Sequence, residues 1–181
     1  MKGMVFTEFM EMVESKFGLE LADRILTTCD LPSGGSYTAV GTYDHHELMT
    51  LVQLLSLETN IPIPDLVRAF GHHLFGRFTE MYPRFFQGVS SSFQFLEQVD
   101  AYVHVEVLKL YPEAELPKFT SQRMDENRLA FEYRSRRPFG DLAEGLIAGC
   151  AEHFGEQIQI QREPLAAESG TAIRFLITRL G

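Results

Sequence analysis

Arg128-Leu129-Ala130-Phe131-Glu132-Tyr133-Arg134-Ser135-Arg136-Arg137 is the stretch at which the sequence changes period. Here apolar and polar residues alternate, and the alternation returns around Ile158 and Ile160 and again at Ile173, Phe175 and Ile177, which predicts antiparallel strands. Upstream the period is that of helices. Val5, Phe6, Phe9, Met12, Val13 and Phe17 form one stripe that ends at Gly18, a residue suited to a helix C-terminus. A second periodic piece over 19–26 runs into the turn-rich segment 30–36. Asp44 followed by Glu47 matches a capping box ahead of Leu48, Leu51, Val52 and Leu55. Another helix is expected through Leu66, Val67, Phe70 and Leu74, and a longer one over 90–111 with the stripe Leu96, Val99, Val103, Val107, Leu110, stopped by Pro112. Leu142, Leu146, Ile147, Cys150 and Phe154 predict a last helix over 139–155, between the strands. The fold class is therefore α+β, with a helical N-terminal part followed by an antiparallel sheet and its packed helices.

A chain of 181 residues fits a single domain, read as a helical N-terminal subdomain over 1–60 and an α/β subdomain over 61–181. Sixteen Lys and Arg against 25 Asp and Glu give a net charge of −9, which argues against nucleic acid as a partner, because phosphate backbones need a clustered basic face. The one dense basic cluster is Arg134, Arg136 and Arg137. No apolar run reaches the roughly 18 residues of a spanning helix. Glu8 comes too early for a signal peptide, so a cytoplasmic protein without membrane contact is expected. Cys29 and Cys150 lie too far apart in sequence to suggest a thiolate metal site or a disulfide scaffold, and read as small buried hydrophobes.

Two features carry chemistry. The paired histidines His45-His46 and His72-His73 point about 100° apart on a helix, so neither pair makes the i, i+4 couple of two-histidine metal sites. His104 differs: it stands within the apolar run Tyr102-Val103-His104-Val105-Glu106-Val107-Leu108, on the rim of the buried stripe. Such a histidine is either satisfied by a backbone carbonyl or serves as one axial ligand to a metal cofactor, a role that a neutral imidazole on a rigid helix suits for haem iron. The second feature is the strand end. Period two places Tyr133, Ser135 and Arg137 on the face of Leu129 and Phe131, so a phenol, a hydroxyl and a guanidinium point inward together. Either the charges run out into solvent, or the trio binds carboxylates or a phosphate. Haem carries two propionates, so one histidine and one donor trio complement each other.

With these residues the chain resembles a haem nitric oxide/oxygen-binding (H-NOX) domain, the bacterial relative of the haem domain of soluble guanylate cyclase. The resemblance spans the whole chain and is carried by Met1-Lys2-Gly3, by Phe78 in Leu74-Phe75-Gly76-Arg77-Phe78, and by His104 through Pro112. Pro117 and the element Tyr133-x-Ser135-x-Arg137, followed by Gly145-Leu146-Ile147, complete it. It implies haem b, iron protoporphyrin IX, as cofactor, with His104 as the proximal iron ligand and Tyr133, Ser135 and Arg137 on the propionates. Pro117 and Val5 are implied to press on the porphyrin, and Phe78 and Leu146 to line it. By the same comparison the distal side is Phe9, Leu74 and Leu142, where oxygen-binding members place a tyrosine at the position of Leu142.

Bound O₂ needs a hydrogen-bond donor over the iron and nitric oxide depends on one far less, so the donor-free wall predicts binding of NO and CO without a stable oxygen complex. The resemblance further implies a sensor and not an enzyme. NO binding would break the iron–His104 bond, the N-terminal helices would shift relative to the α/β part, and the signal would pass to a separate effector, a histidine kinase or a cyclic-di-GMP enzyme. Residues 156–181 contain neither Cys nor His, so no structural zinc is expected there. Two other classes remain open: a haem peroxidase, which lacks distal acid–base groups here, and a cofactor-free module that takes a fatty-acid-like ligand with Arg137 on its acid group.

Overall fold

The structure, a computed structural model, describes residues 1–180. They form two compact units, residues 1–70 and 71–180, whose boundary falls inside one helix between Phe70 and Gly71.

The first unit contains α1 (Gly3–Phe17), α2 (Leu19–Thr28), α3 (His45–Thr59) and the first turns of α4 (Ile63–Met81). Phe6, Phe9, Met12 and Val13 of α1 are buried with Ile25, Leu48, Leu51, Leu55 and Phe70. Each such side chain withdrawn from water contributes about 1.5–3 kcal/mol. Phe9 meets Phe70 edge to face with ring centroids 5.2 Å apart. Gly18 ends α1 with φ of 91°, as the sequence predicts.

The loop between α2 and α3 is fastened onto α1. The Gly3 N–H donates to the Gly41 carbonyl at 2.8 Å, and a Cβ at Gly3 would lie 1.9 Å from the Thr38 carbonyl oxygen, so a side chain there would push the loop away. Phe6 stacks on Tyr37 at 4.6 Å. Asp44 caps α3 by accepting from the His46 N–H at 3.0 Å, as expected, but Glu47 does not close the box. Glu47 is 5% exposed, and its carboxylate accepts from the Ser33 hydroxyl and from the Tyr37 hydroxyl at 3.0 Å. A loop that must be held against a helix has claimed the acid that local helix rules assign to the cap.

The second unit continues α4 and adds a 3-10 turn (Pro83–Phe86), α5 (Ser92–Gln98), a π-helical turn (Val99–Val103), α6 (His104–Leu110), β1 (Lys118–Arg123), β2 (Arg128–Ser135), α7 (Gly140–His153), β3 (Ile158–Pro164) and β4 (Thr171–Arg179). The predicted single helix over 90–111 is thus broken by one π turn immediately before His104. The sheet is antiparallel in the order β1-β2-β4-β3, and β1 is a strand that the alternation pattern did not announce. Its inner face pairs Leu129, Phe131 and Tyr133 with Ile177, Phe175 and Ile173, all buried, beneath Phe93, Phe95 and Leu96 of α5 and Ala143, Ile147 and Cys150 of α7. Gly71 lets α4 approach α7 backbone to backbone: a Cβ there would lie 2.3 Å from the Leu142 carbonyl oxygen. No helix among the described residues is long and apolar enough to cross a membrane.

Burial in the first unit pushes the Tyr37 phenol up to about 12, helped by the Glu47 carboxylate, against an opposing hydrogen bond with Ser33. A phenol whose folded pKa is raised stabilises the fold below its unfolded value of 10.0 and loses that contribution as pH rises through about 12. Stability of the wild-type chain should therefore fall over that window, and the fall should be smaller in Tyr37→Phe, as read from denaturant unfolding at a series of alkaline pH values.

Candidate functional site

The second unit brings His104 and the trio of the β2 end to either side of one aromatic ring. His104 opens α6 directly after the π turn, and its side chain is 15% exposed. Its ring lies 5.6 Å from that of Phe119 on β1, and the Phe119 ring lies 5.6 Å from that of Tyr133, which is the partner of Phe119 across the β1–β2 ladder. Phe119 also stacks on Phe131 at 4.8 Å.

The sequence reading missed the carboxylate that faces the histidine. Asp100, one helical turn back, has Oδ1 3.4 Å from His104 Nδ1, a long contact, and the same oxygen accepts the Phe119 N–H at 3.1 Å. The acid therefore ties the helix of His104 to the first residues of the sheet. Burial lowers the His104 pKa, and Asp100 pulls it back upward without cancelling the shift. Burial thus favours the neutral ring, and the tautomer that donates from Nδ1 to the acid leaves Nε2 with its lone pair. The signal for Asp100 was present in the sequence, since i and i+4 on a helix are neighbours.

The surroundings of His104 are apolar and uncovered. Neither the π turn nor α6 contains a buried residue, although their sequence, Val-Asp-Ala-Tyr-Val-His-Val-Glu-Val-Leu-Lys-Leu, is mostly apolar. Val99 and Val103 lean on the core, whereas Val105 and Leu108, within about 100° of His104 on the helix, are 43% and 40% exposed. An apolar helical flank beside a neutral imidazole is suited to a flat apolar group that coordinates through a metal.

The trio is assembled locally. Tyr133 is 2% exposed, and its hydroxyl donates to the Arg137 carbonyl at 3.4 Å. Burial raises its pKa, opposed by the hydrogen bond with Ser135, so the phenol stays protonated and able to donate. The Ser135 hydroxyl accepts the Arg137 N–H at 3.1 Å. Arg137 stands beyond the strand end, and its guanidinium donates to Glu115 Oε2 at 2.7 Å and reaches the Glu115 carbonyl at 3.5 Å. A carboxylate is thus already the kind of partner this guanidinium takes. Pro117, half-buried, immediately precedes β1.

The remaining sequence-predicted residues are apolar. Leu74 is buried on α4, Leu142 and Leu146 are half-buried on α7, and Leu146 packs against the core of the second unit. Phe78 is half-buried on α4, 6.3 Å from the Tyr82 ring. Val5 and Phe9 belong to α1 of the first unit, half-buried and fully buried respectively. None of Phe9, Leu74 and Leu142 carries a side-chain hydrogen-bond donor.

A family model described as Haem-NO-binding matches residues 2–162. Among solved structures, the Fe(II) unliganded H-NOX protein from K. algicida is 38% identical with a TM-score of 0.91, over 100% of this chain and 97% of that one. The H-NOX from Shewanella woodyi, solved with IWP-051 in the Fe(II)CO state, is 48% identical with a TM-score of 0.84, over 99% and 95% of the two chains. An H-NOX protein from S. oneidensis in the Fe(II)NO state is 29% identical with a TM-score of 0.90, over 100% of both. No curated protein matches the sequence.

Asp100→Ala leaves the Phe119 N–H without its acceptor and the His104 ring without its carboxylate, and should cost about 1 kcal/mol of unfolding free energy in urea titrations. Asp100→Asn keeps an oxygen for Phe119 and should recover most of that loss.

Proposed function

Because this chain belongs to the Haem-NO-binding family, the H-NOX proteins, we propose that it is a haem-based gas sensor. It binds nitric oxide and CO but forms no stable O₂ complex, and it signals by NO-induced release of His104 to a separate partner protein in the cytoplasm. The observation that carries the reading is the neutral His104 beside an uncovered apolar flank, with a phenol, a hydroxyl and a guanidinium beyond Phe119. This donor set fits haem b: one nitrogen for iron, apolar residues for the macrocycle, three donors for its two propionates.

Haem, when bound, would supply a ferrous iron able to take a diatomic gas. The chain's residues do the rest. His104 offers Nε2 to the metal, and Asp100 fixes the ring's tautomer and rotation through Nδ1, as the outer partner of a metal-bound histidine does. Tyr133, Ser135 and Arg137 hold the acid arms, with Glu115 displaced from or sharing the guanidinium. By the family resemblance Pro117 and Val5 would press on the macrocycle, and Phe78 and Leu146 would line it. Phe9, Leu74 and Leu142 form the gas side, where the lack of a donor withholds the stabilisation that O₂ needs and leaves NO and CO unaffected. The S. woodyi and S. oneidensis relatives, solved with CO and NO respectively, support that ligand choice. The same lack of distal acid–base groups supports a sensor over a peroxidase.

Electronic spectra of the reduced protein test the whole assignment. A Soret band should be present and should shift with NO and with CO, while exposure to air should give no persistent oxygenated spectrum. A persistent oxygenated spectrum overturns the ligand selectivity, and a colourless protein that cannot be reconstituted with haem returns the reading to a module for apolar acids.

His104→Gly should keep haem held by its acid arms and walls alone, with a changed reduced spectrum. An unchanged spectrum in that variant removes His104 from its role.

A further inference from the structure

The cofactor reading uses only Arg137 of the basic cluster Arg134, Arg136, Arg137, and the structure gives the other two cations a setting of their own. Arg134 alternates with Tyr133 and so points to the opposite face of β2. It sits directly across the ladder from Lys118 on β1, with Ala172 of β4 on its other side. Two like charges at facing positions of an antiparallel pair repel each other, and Arg134 has one partner to offset this, Glu132 on its own strand at 3.6 Å. Neither Lys118 nor Arg136 makes an ion pair or side-chain hydrogen bond among the described residues.

These three cations border a cleft of about 530 Å³, together with Ser135 and Arg137 of the trio and the hydroxyls of Ser169 and Thr171. Of the two acids at its edge, Glu115 is engaged with Arg137, and Arg134 pairs with Glu132 at 3.6 Å, which leaves Glu168 against Lys118 and Arg136. The cleft is preformed. Gly170 adopts φ of +77°, and a Cβ on it would lie 2.2 Å from the Ser135 carbonyl oxygen, so the β3–β4 loop is pressed onto the end of β2. Arg134 fastens the same loop by donating to the Ala166 carbonyl at 3.4 Å.

We propose that this cleft is a second binding site, for a small phosphate-bearing molecule. A phosphate offers several acceptor oxygens and close to two negative charges, which matches an ammonium, two guanidinium groups and two hydroxyls better than a single carboxylate does. The volume falls within the range of small-molecule pockets and exceeds what an inorganic phosphate fills, so the ligand is an organic phosphate. In a chain of net charge −9 the concave basic wall is also what draws an anion to this spot. The cleft shares Ser135 and Arg137 with the cofactor reading, whereas Lys118, Arg134 and Arg136 have no part in it, so variants at those positions test this site apart from the haem assignment.

Calorimetric titration of the full chain with inorganic pyrophosphate and with AMP at low salt tests the site. Both should bind, AMP more tightly, and Lys118→Gln and Arg136→Gln should each weaken binding by about tenfold. The absorption spectra that test the haem assignment should not change in either variant, and Arg77→Gln, on α4, should bind like the wild type. Equal binding by Lys118→Gln, Arg136→Gln and wild type overturns the proposal, as does no heat up to about 1 mM of either probe. So does binding of an acidic peptide such as oligoglutamate where pyrophosphate and AMP fail, since that outcome makes the cleft a protein-docking surface.

Discussion

The geometry of the second unit depends on one carboxylate oxygen. Asp100 Oδ1 faces His104 Nδ1 and accepts the N–H of Phe119, so the same atom sets the histidine's tautomer and joins the helix to the sheet. A histidine that is to coordinate a metal must be neutral, must keep one nitrogen free and must not rotate. Burial supplies neutrality, the acid supplies orientation, and Phe119 lies under the ring at 5.6 Å. Phe119 in turn is the register partner of Tyr133, so the acid that orients the histidine also determines where the donor trio begins. The two halves of the site are thus coupled through one residue of an edge strand.

Strand β2 performs three tasks by alternation alone. Its inner residues Leu129 and Phe131 build the core, and the next two inner positions, Tyr133 and Ser135, carry the same face to the polar end of the sheet. Its outer residues make a ladder of charge in which Arg174 pairs with Glu132 at 2.8 Å and with Glu163 at 3.4 Å. One row further along that ladder Arg134 reaches back to Glu132 at 3.6 Å and faces Lys118, which has no acidic partner among the described residues.

What could be read in the sequence follows the same division. The β2 alternation and the α1 stripe were legible because one face of each is buried and the other wet. Strand β1 was not: of Lys118-Phe119-Thr120-Ser121-Gln122-Arg123 only Phe119 is apolar, and the segment is a strand because β2 offers it a hydrogen-bonding edge. The π turn was hidden because Val99 and Val103 keep a helical spacing and both lean on the core. Glu47 was read as a cap partner, and only the folded loop shows that Ser33 and Tyr37 claim it. His104 and the trio were legible as chemistry, since a polar group in an apolar pattern needs a reason. Asp100 and Glu115, which hold them, each look like ordinary surface acids until the chain folds.

The helix that carries His104 is held very unequally along its length. At its start, Glu156 accepts from the Ser92 N–H at 3.2 Å and from the Ser92 hydroxyl, and pairs with Arg179 at 3.1 Å. The Arg179 guanidinium lies 4.1 Å above the Phe93 ring, and Arg123, doubly bonded to Glu97, approaches that ring at 5.2 Å. Ser92, Phe93, Phe95 and Leu96 are buried. Past the π turn nothing is buried, and Tyr111 and Pro112 end the helix at once. Local stability follows buried contact, so α5 belongs with the sheet and α6 is the less firmly held of the two. The π turn stands at the change from one regime to the other, where a helix already carries a wider ring and a weaker hydrogen-bond pattern. A helix anchored evenly along its length would respond little to a bond made or broken at one side chain, whereas a helix held at one end only, as this one is, can respond to a bond at His104.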